Sequence, residues 1–173
     1  MPFPALLIPL IFWTAIAAFS SWAVSRALPL RASHTITINA PVEKVWELVS
    51  DPQRVAEWNE HIVYARPKDK IAAGTRLIMK AKHPEAPHLN ARLRPQIEVF
   101  EPNAEVAWKA KIIAPWVLSV SDSTTLRAAD ENHTEVTQTM AFSGFLSPGV
   151  PFLTSIESIK ETSNKKLKAL LEA

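Results

Sequence analysis

The hydrophobic and polar positions change period as the chain proceeds, and each change marks an element. From Thr35 to Ile38 polar and apolar residues alternate, which predicts a short strand. Ala40-Pro41 stops it: Pro41 has no N–H for a ladder but suits the first turn of a helix. Val42, Val45, Trp46 and Val49 then recur at helical spacing, predicting a short amphipathic helix. Asp51-Pro52 ends it and starts a second, with Asp51 as cap, Pro52 in the first turn and Val55 and Trp58 on the apolar side. A strand is expected from about Ile62.

Downstream the period is mostly two. Strands are expected over 62–65, 75–82 with Leu77, Met79 and Ala81 inward, and 91–100 with an irregularity at Pro95. Val106, Trp108, Ala110 and Ile112 alternate with Ala107, Lys109 and Lys111, a half-buried strand. Leu118, Val120, Asp122, Thr124 and Leu126 share a face of the next, and Val136, Gln138, Met140 and Phe142 a face of the last. Pro84 and Pro87 keep 83–88 irregular. A final helix begins after Ser147-Pro148 or after Pro151. Its apolar stripe reads Phe152, Ile156, Ile159, Ser163, Leu167 and Leu170, with Lys160, Lys165, Lys166 and Lys168 on the other sides.

The opening segment, with Ala40, Pro41, Val45, Trp46, Asp51, Pro52 and Trp58 in that order, resembles the start of the START-like, or Bet v 1-like, superfamily, the polyketide cyclase/dehydrase and lipid-transport group. The resemblance extends over about 34–171. It implies an α+β helix-grip fold: a curved antiparallel sheet wrapped around a long C-terminal helix, with two short helices after the first strand. It also implies an apolar cavity between sheet and helix. Trp46 and Trp58 read as packing residues within that fold.

The N-terminus departs from this pattern. Pro2 to Ser25 holds no ionisable side chain and is dominated by apolar residues. A helix crossing a bilayer core of about 30 Å needs about 20 such residues. Residues 1–25 are therefore expected to form a transmembrane anchor, kinked at Pro9, with 26–33 as a tether broken at Pro29 and 34–173 as the ligand-binding domain. Arg26 and Arg31 follow the run and place the domain on the cytoplasmic side. The alternative is export after cleavage of a signal peptide, supported by the small-residue site Ala23-Val24-Ser25.

Composition narrows the chemistry. A net charge of +2 with interspersed signs gives no clustered basic face for nucleic acid. There is no cysteine, which removes disulfides, thiolate metal sites and a Cys nucleophile. Gly74, Gly144 and Gly149 lie too far apart for a phosphate-binding or dinucleotide loop. His83, Glu85 and His88 match no standard zinc spacing and read as a solvated loop, so neither a metal nor a cofactor is expected. Tyr64, Asp122 and Gln138 are polar on otherwise apolar strand faces. They either orient a ligand's polar group, act in acid–base chemistry, or mark a register shift or a wet strand end. An inward Asp122 requires a partner or a shifted pKa.

The expected ligand site is thus Tyr64, Trp108, Leu118, Val120, Asp122, Gln138, Met140 and Phe142 from the strands, with Phe152, Ile156 and Ile159 from the final helix. The expected function is a membrane-tethered module that binds a hydrophobic small molecule or lipid. A cyclase/dehydratase-type enzyme using the same cavity and a protein-interaction module are the alternatives. A closed polar cluster favours the enzyme, a long apolar cavity the carrier, and a filled core the interaction module.

Overall fold

The computed structural model describes residues 3–27, 30–83, 86, 88–152 and 155–173, and only the backbone of residues 3–6, 25–27 and 152. Pro2, Pro29, Pro84, Glu85, Pro87 and the side chains of Arg26 and Phe152 lie outside the described residues. Helix α1 (Phe3–Ala27) runs through Pro9 and precedes strand β1 (Leu30–Ile38). Helices α2 (Val42–Val49) and α3 (Val55–Trp58) follow, joined by a 3₁₀ turn (Pro52–Arg54). Next come β2 (Ile62–Pro67), β3 (Leu77–Lys82), β4 (Asn90–Leu93) and β5 (Gln96–Glu101). Strands β6 (Glu105–Lys111), β7 (Ser119–Ala128) and β8 (Thr134–Ser143) complete the sheets. A second 3₁₀ turn (Ser147–Phe152) leads into helix α4 (Ile156–Leu171).

The local signals act as their chemistry demands. Asp51 Oδ1 accepts the Gln53 N–H at 2.8 Å with Pro52 in the first turn, and α2 turns Val45, Leu48 and Val49 inward. Trp58 is buried, while Trp46 is half-buried against the Phe100 ring at 5.2 Å. Strand β1 starts at Leu30, inside the stretch expected to be a tether. It does so because Leu30 to Ile38 all find partners on β8, from Leu30–Phe142 to Ile38–Thr134. On its outer face Thr35 and Thr137 share a hydroxyl hydrogen bond of 2.9 Å.

All strand pairings are antiparallel. Five strands run in the order β1-β8-β7-β6-β5 and three in the order β2-β3-β4. The expected single strand over 91–100 is two strands in different sheets. Pro95 cannot donate to a ladder, and the break falls at Arg94-Pro95. Backbone bonds from Leu77 N–H to Pro95 O (2.8 Å) and from Ile97 N–H to Thr75 O (2.9 Å) carry the sheet across that break.

Helix α4 fills the grip. Ser155 caps it by accepting the Ser158 N–H, which puts its start at Ile156 and leaves 147–152 as a separate turn. Its buried face is Ile156, Ile159, Lys160, Ser163, Asn164, Leu167 and Leu171. Two expectations are corrected here. Leu171, four residues beyond Leu167, takes the inward place, and Leu170 is exposed. Lys160, four residues beyond Ile156, shares its face and is 1% exposed. The main core joins α4 to the short helices and both sheets through Ile38, Val45, Trp58, Met79, Val136 and Leu167. Burying each aliphatic side chain of this set contributes about 1.5–3 kcal/mol.

Candidate functional site

The core is not filled everywhere. A cavity of about 370 Å³ lies between the sheets and α4, within the range of about 300–1,000 Å³ usual for small-molecule sites. Trp108 of β6, Leu118, Val120 and Asp122 of the β7 segment, and Met140 and Phe142 of β8 form one wall. Ile159 of α4 closes the top. The opposite wall comes from the smaller sheet through Ile62, Met79, Ala81 and Leu93. Asn59, His61, Lys82 and His83 add polar groups at one side. The wall residues Leu89, Ala91 and Ile112 are exposed and mark the open side. A cleft of about 40 Å³ beneath α2 and α3 shares Trp108 and Asp122 with this cavity.

Asp122 is the carboxyl set into the apolar wall. Its register partners are Trp108 on β6 and Met140 on β8, so it projects to the same side as Val120 and Thr124. Lys160 Nζ reaches down from α4 and donates to Asp122 Oδ2. Burial pushes the Asp122 carboxyl above its ordinary pKa, and the Lys160 charge and hydrogen bond offset part of that rise. The wall therefore offers a ligand the Asp122 carboxyl in otherwise apolar surroundings, where hydrogen bonds are stronger than in water. His61 is held below its ordinary pKa, first by burial and then by Lys82 and Lys160, with Glu60 opposing.

Seven of the expected residues meet at this cavity: Trp108, Leu118, Val120, Asp122, Met140, Phe142 and Ile159. Three others do not line it. Tyr64 follows a register shift between Ile62 and Tyr64, lies half-buried, and holds the Arg66 guanidinium 5.4 Å from its ring centre. The bulge gives the inward places to Ile62 and Ala65. Ile156 packs with Ala32 and Val150 in a separate apolar cluster. Gln138 faces inward as its period required but sits behind the wall, fully buried between His34 and Thr124 in register. Neither of its amide atoms meets a hydrogen-bonding group among the described residues, and the same holds for Ser163 Oγ. Asn164 Nδ2 lies 2.9 Å from both His34 Nδ1 and the His34 carbonyl. Lys160 and His61 are the functional candidates that sequence reasoning missed. The four-residue step from Ile156 was a signal for Lys160. No local pattern marked His61, which enters the wall through the fold.

The family model described as polyketide cyclase/dehydrase and lipid transport matches residues 29–172. The chain belongs to that family. Its helix-grip architecture recurs in solved structures that share little sequence with it. The Zhui aromatase/cyclase from a Streptomyces species superimposes with a TM-score of 0.67 at 14% identity, over 83% of this chain and 94% of that one. A protein from Nitrosomonas europaea gives 0.65 at 14% identity, over 83% and 94%. A hypothetical protein from Helicobacter pylori gives 0.66 at 14%, over 82% and 88%. At such identities the likeness is one of fold. No curated protein matches the chain in sequence. Membership of the polyketide cyclase/dehydrase family supports a ligand-binding cavity.

Proposed function

We propose that this protein is a membrane-tethered module that binds a hydrophobic small molecule or lipid between its sheets and α4. The observation that carries the reading is the cavity: about 370 Å³ of space whose walls are mostly aliphatic and aromatic, with the Asp122 carboxyl set among them. Binding sites for apolar molecules have this make-up, a large apolar lining with a few placed polar groups. The ligand is an amphipathic molecule, its apolar body against Val120, Met140 and Ile159 and its hydrogen-bonding group at Asp122. The tether is α1. Leu7–Val24 is long and apolar enough to cross a membrane, and none of it is buried inside the protein. A signal sequence has the same make-up, and the start of the mature chain separates the two. Residues 1–25 are the anchor, and the binding domain follows it on the cytoplasmic side.

Native mass spectrometry of the full chain extracted from its own membranes tests the binding reading. The expected result is a bound apolar molecule, lost in an Ile159→Trp variant that still unfolds cooperatively. A chain free of such a molecule that also fails to take up an apolar fluorescent probe overturns it.

A further inference from the structure

Three uncharged stretches converge at one end of the domain. No ionisable residue occurs between Lys111 and Asp122, between Glu135 and Glu157, or between Pro2 and Ser25. The structure joins them physically. Ser21 Oγ of α1 donates to the Phe145 carbonyl at 2.8 Å. The Phe145 ring stacks on Trp116 with centroids 5.7 Å apart, and the Phe145 N–H donates to the Trp116 carbonyl. The Leu146 N–H donates to the Val117 carbonyl. Around these bonds large apolar side chains face outward: Ile113 is 67% exposed, Trp116 61%, Leu146 43% and Ile112 39%. Such a patch is unusual on a freely soluble surface.

The height of the contact gives the patch its meaning. Ser21 lies within the apolar span Leu7–Val24, before its downstream end. At 1.5 Å of rise per residue the offset from Val24 is about 5 Å. If α1 spans a bilayer, whatever touches Ser21 stands at the depth of the interfacial layer, where Trp and aliphatic side chains settle. The first charge on the strand side of the patch is the exposed Lys111, suited to the head-group level. The same loop reaches the ligand site, since Ile112 and Leu118 both line the cavity and Ile112 is part of its open side.

We infer that the end of the domain formed by residues 112–118 and 144–146 is seated in the lipid interface beside α1. The cavity thereby opens against the membrane, and its apolar ligand is exchanged with the bilayer rather than with water. The inference rests on the anchor reading above and adds to it an orientation of the domain. A tether alone would leave the cavity free to point in any direction.

The absence of cysteine makes a direct test simple. The full chain is reconstituted into phosphatidylcholine vesicles carrying lipid-bound doxyl quenchers spread along the acyl chain from the head-group end to the terminal methyl. Ile113→Cys, Thr14→Cys and Glu131→Cys variants are each labelled with an environment-sensitive fluorophore. Glu131 lies in the β7–β8 turn, at the opposite end of those strands. The label at position 113 should be blue-shifted and quenched severalfold more than that at 131, approaching the quenching at 14. Quenching at 14 with equal, weak quenching at 113 and 131 overturns the seating while leaving the anchor intact. The same holds if label–label self-quenching at 113 shows a second copy covering the patch. No quenching at 14 removes the anchor reading, and the seating with it.

Discussion

Lys160 of α4 donates to Asp122 of β7 across 38 residues of chain, and both side chains are withdrawn from water. The pair ties the final helix to the middle of the sheet at the cavity wall. A buried pair of this kind adds little net stability, but breaking it leaves an uncompensated charge. Replacing one partner, as in Asp122→Leu or Lys160→Met, should cost about 3–5 kcal/mol. The double variant should recover most of that loss or exceed the parent by about 1–4 kcal/mol. Urea unfolding of the four proteins closes the cycle, and a double variant as weak as the singles would contradict it.

The same site predicts a pH dependence. Asp122 has its pKa raised in the folded state by burial, so the folded chain holds that proton more tightly than the unfolded chain. Its contribution to stability is complete below the ordinary carboxylate value of about 3.9. It is lost as the pH rises through the elevated folded value. The stability of the parent relative to the Asp122→Leu, Lys160→Met double variant should therefore fall as the pH rises through that window. Denaturation midpoints of both proteins, measured side by side across the acidic to neutral range, give the difference. A relative stability that instead rises with pH would show that the lysine outweighs burial.

Ile156 and Ile159, one helical turn apart, should respond differently to the same enlargement. Ile159 borders open space, so Ile159→Trp should abolish binding of an apolar fluorescent probe with little loss of stability. Ile156 is packed against Ala32 and Val150, so Ile156→Trp should overpack the core at a cost of about 1–3 kcal/mol. Probe titration and thermal unfolding of both variants give the contrast. Equal destabilisation with unchanged probe uptake would mean that Ile159 borders no usable space.

Gly144 shapes the rim. Its φ is +112°, and a Cβ placed there would stand 2.5 Å from the Val117 carbonyl oxygen, a backbone atom with little freedom to retreat. Gly144→Ala should therefore destabilise the domain by more than about 1 kcal/mol. Gly149→Ala, where an added methyl meets nothing within 4 Å, is the control and should be close to neutral. Chemical denaturation distinguishes them.

The elements readable from the sequence were those whose signals are local. The alternation along Leu118 to Leu126 required no knowledge of its partner strand, and Asp51-Pro52 carries its own cap. Residues defined by register or by distant partners were harder. Tyr64 lost its inward place to a bulge between β2 and β3, a mismatch between two strands that neither strand displays alone. Lysine usually faces solvent, which is where its type puts Lys160, although the four-residue step from Ile156 points it inward. It is inward because Asp122 awaits it, and that pairing exists only once β7 and α4 meet. Ile156 met the periodicity and still missed the cavity, because periodicity names a face and not what lies opposite it.

The pairing of β1 with β8 also governs when the domain can form. Thr35 meets Thr137 across 102 residues, and Lys168 Nζ donates to the Thr37 carbonyl across 131. Contacts so distant in sequence are slow to form. During synthesis from the N-terminus, β1 is complete while its partner strand and covering helix are still unmade. Until then both edges of β1 lack neighbours, and Ile36 and Ile38 lie open to water. Of all the strands it waits longest for its place, which makes it the segment most exposed to wrong pairing in a nascent chain.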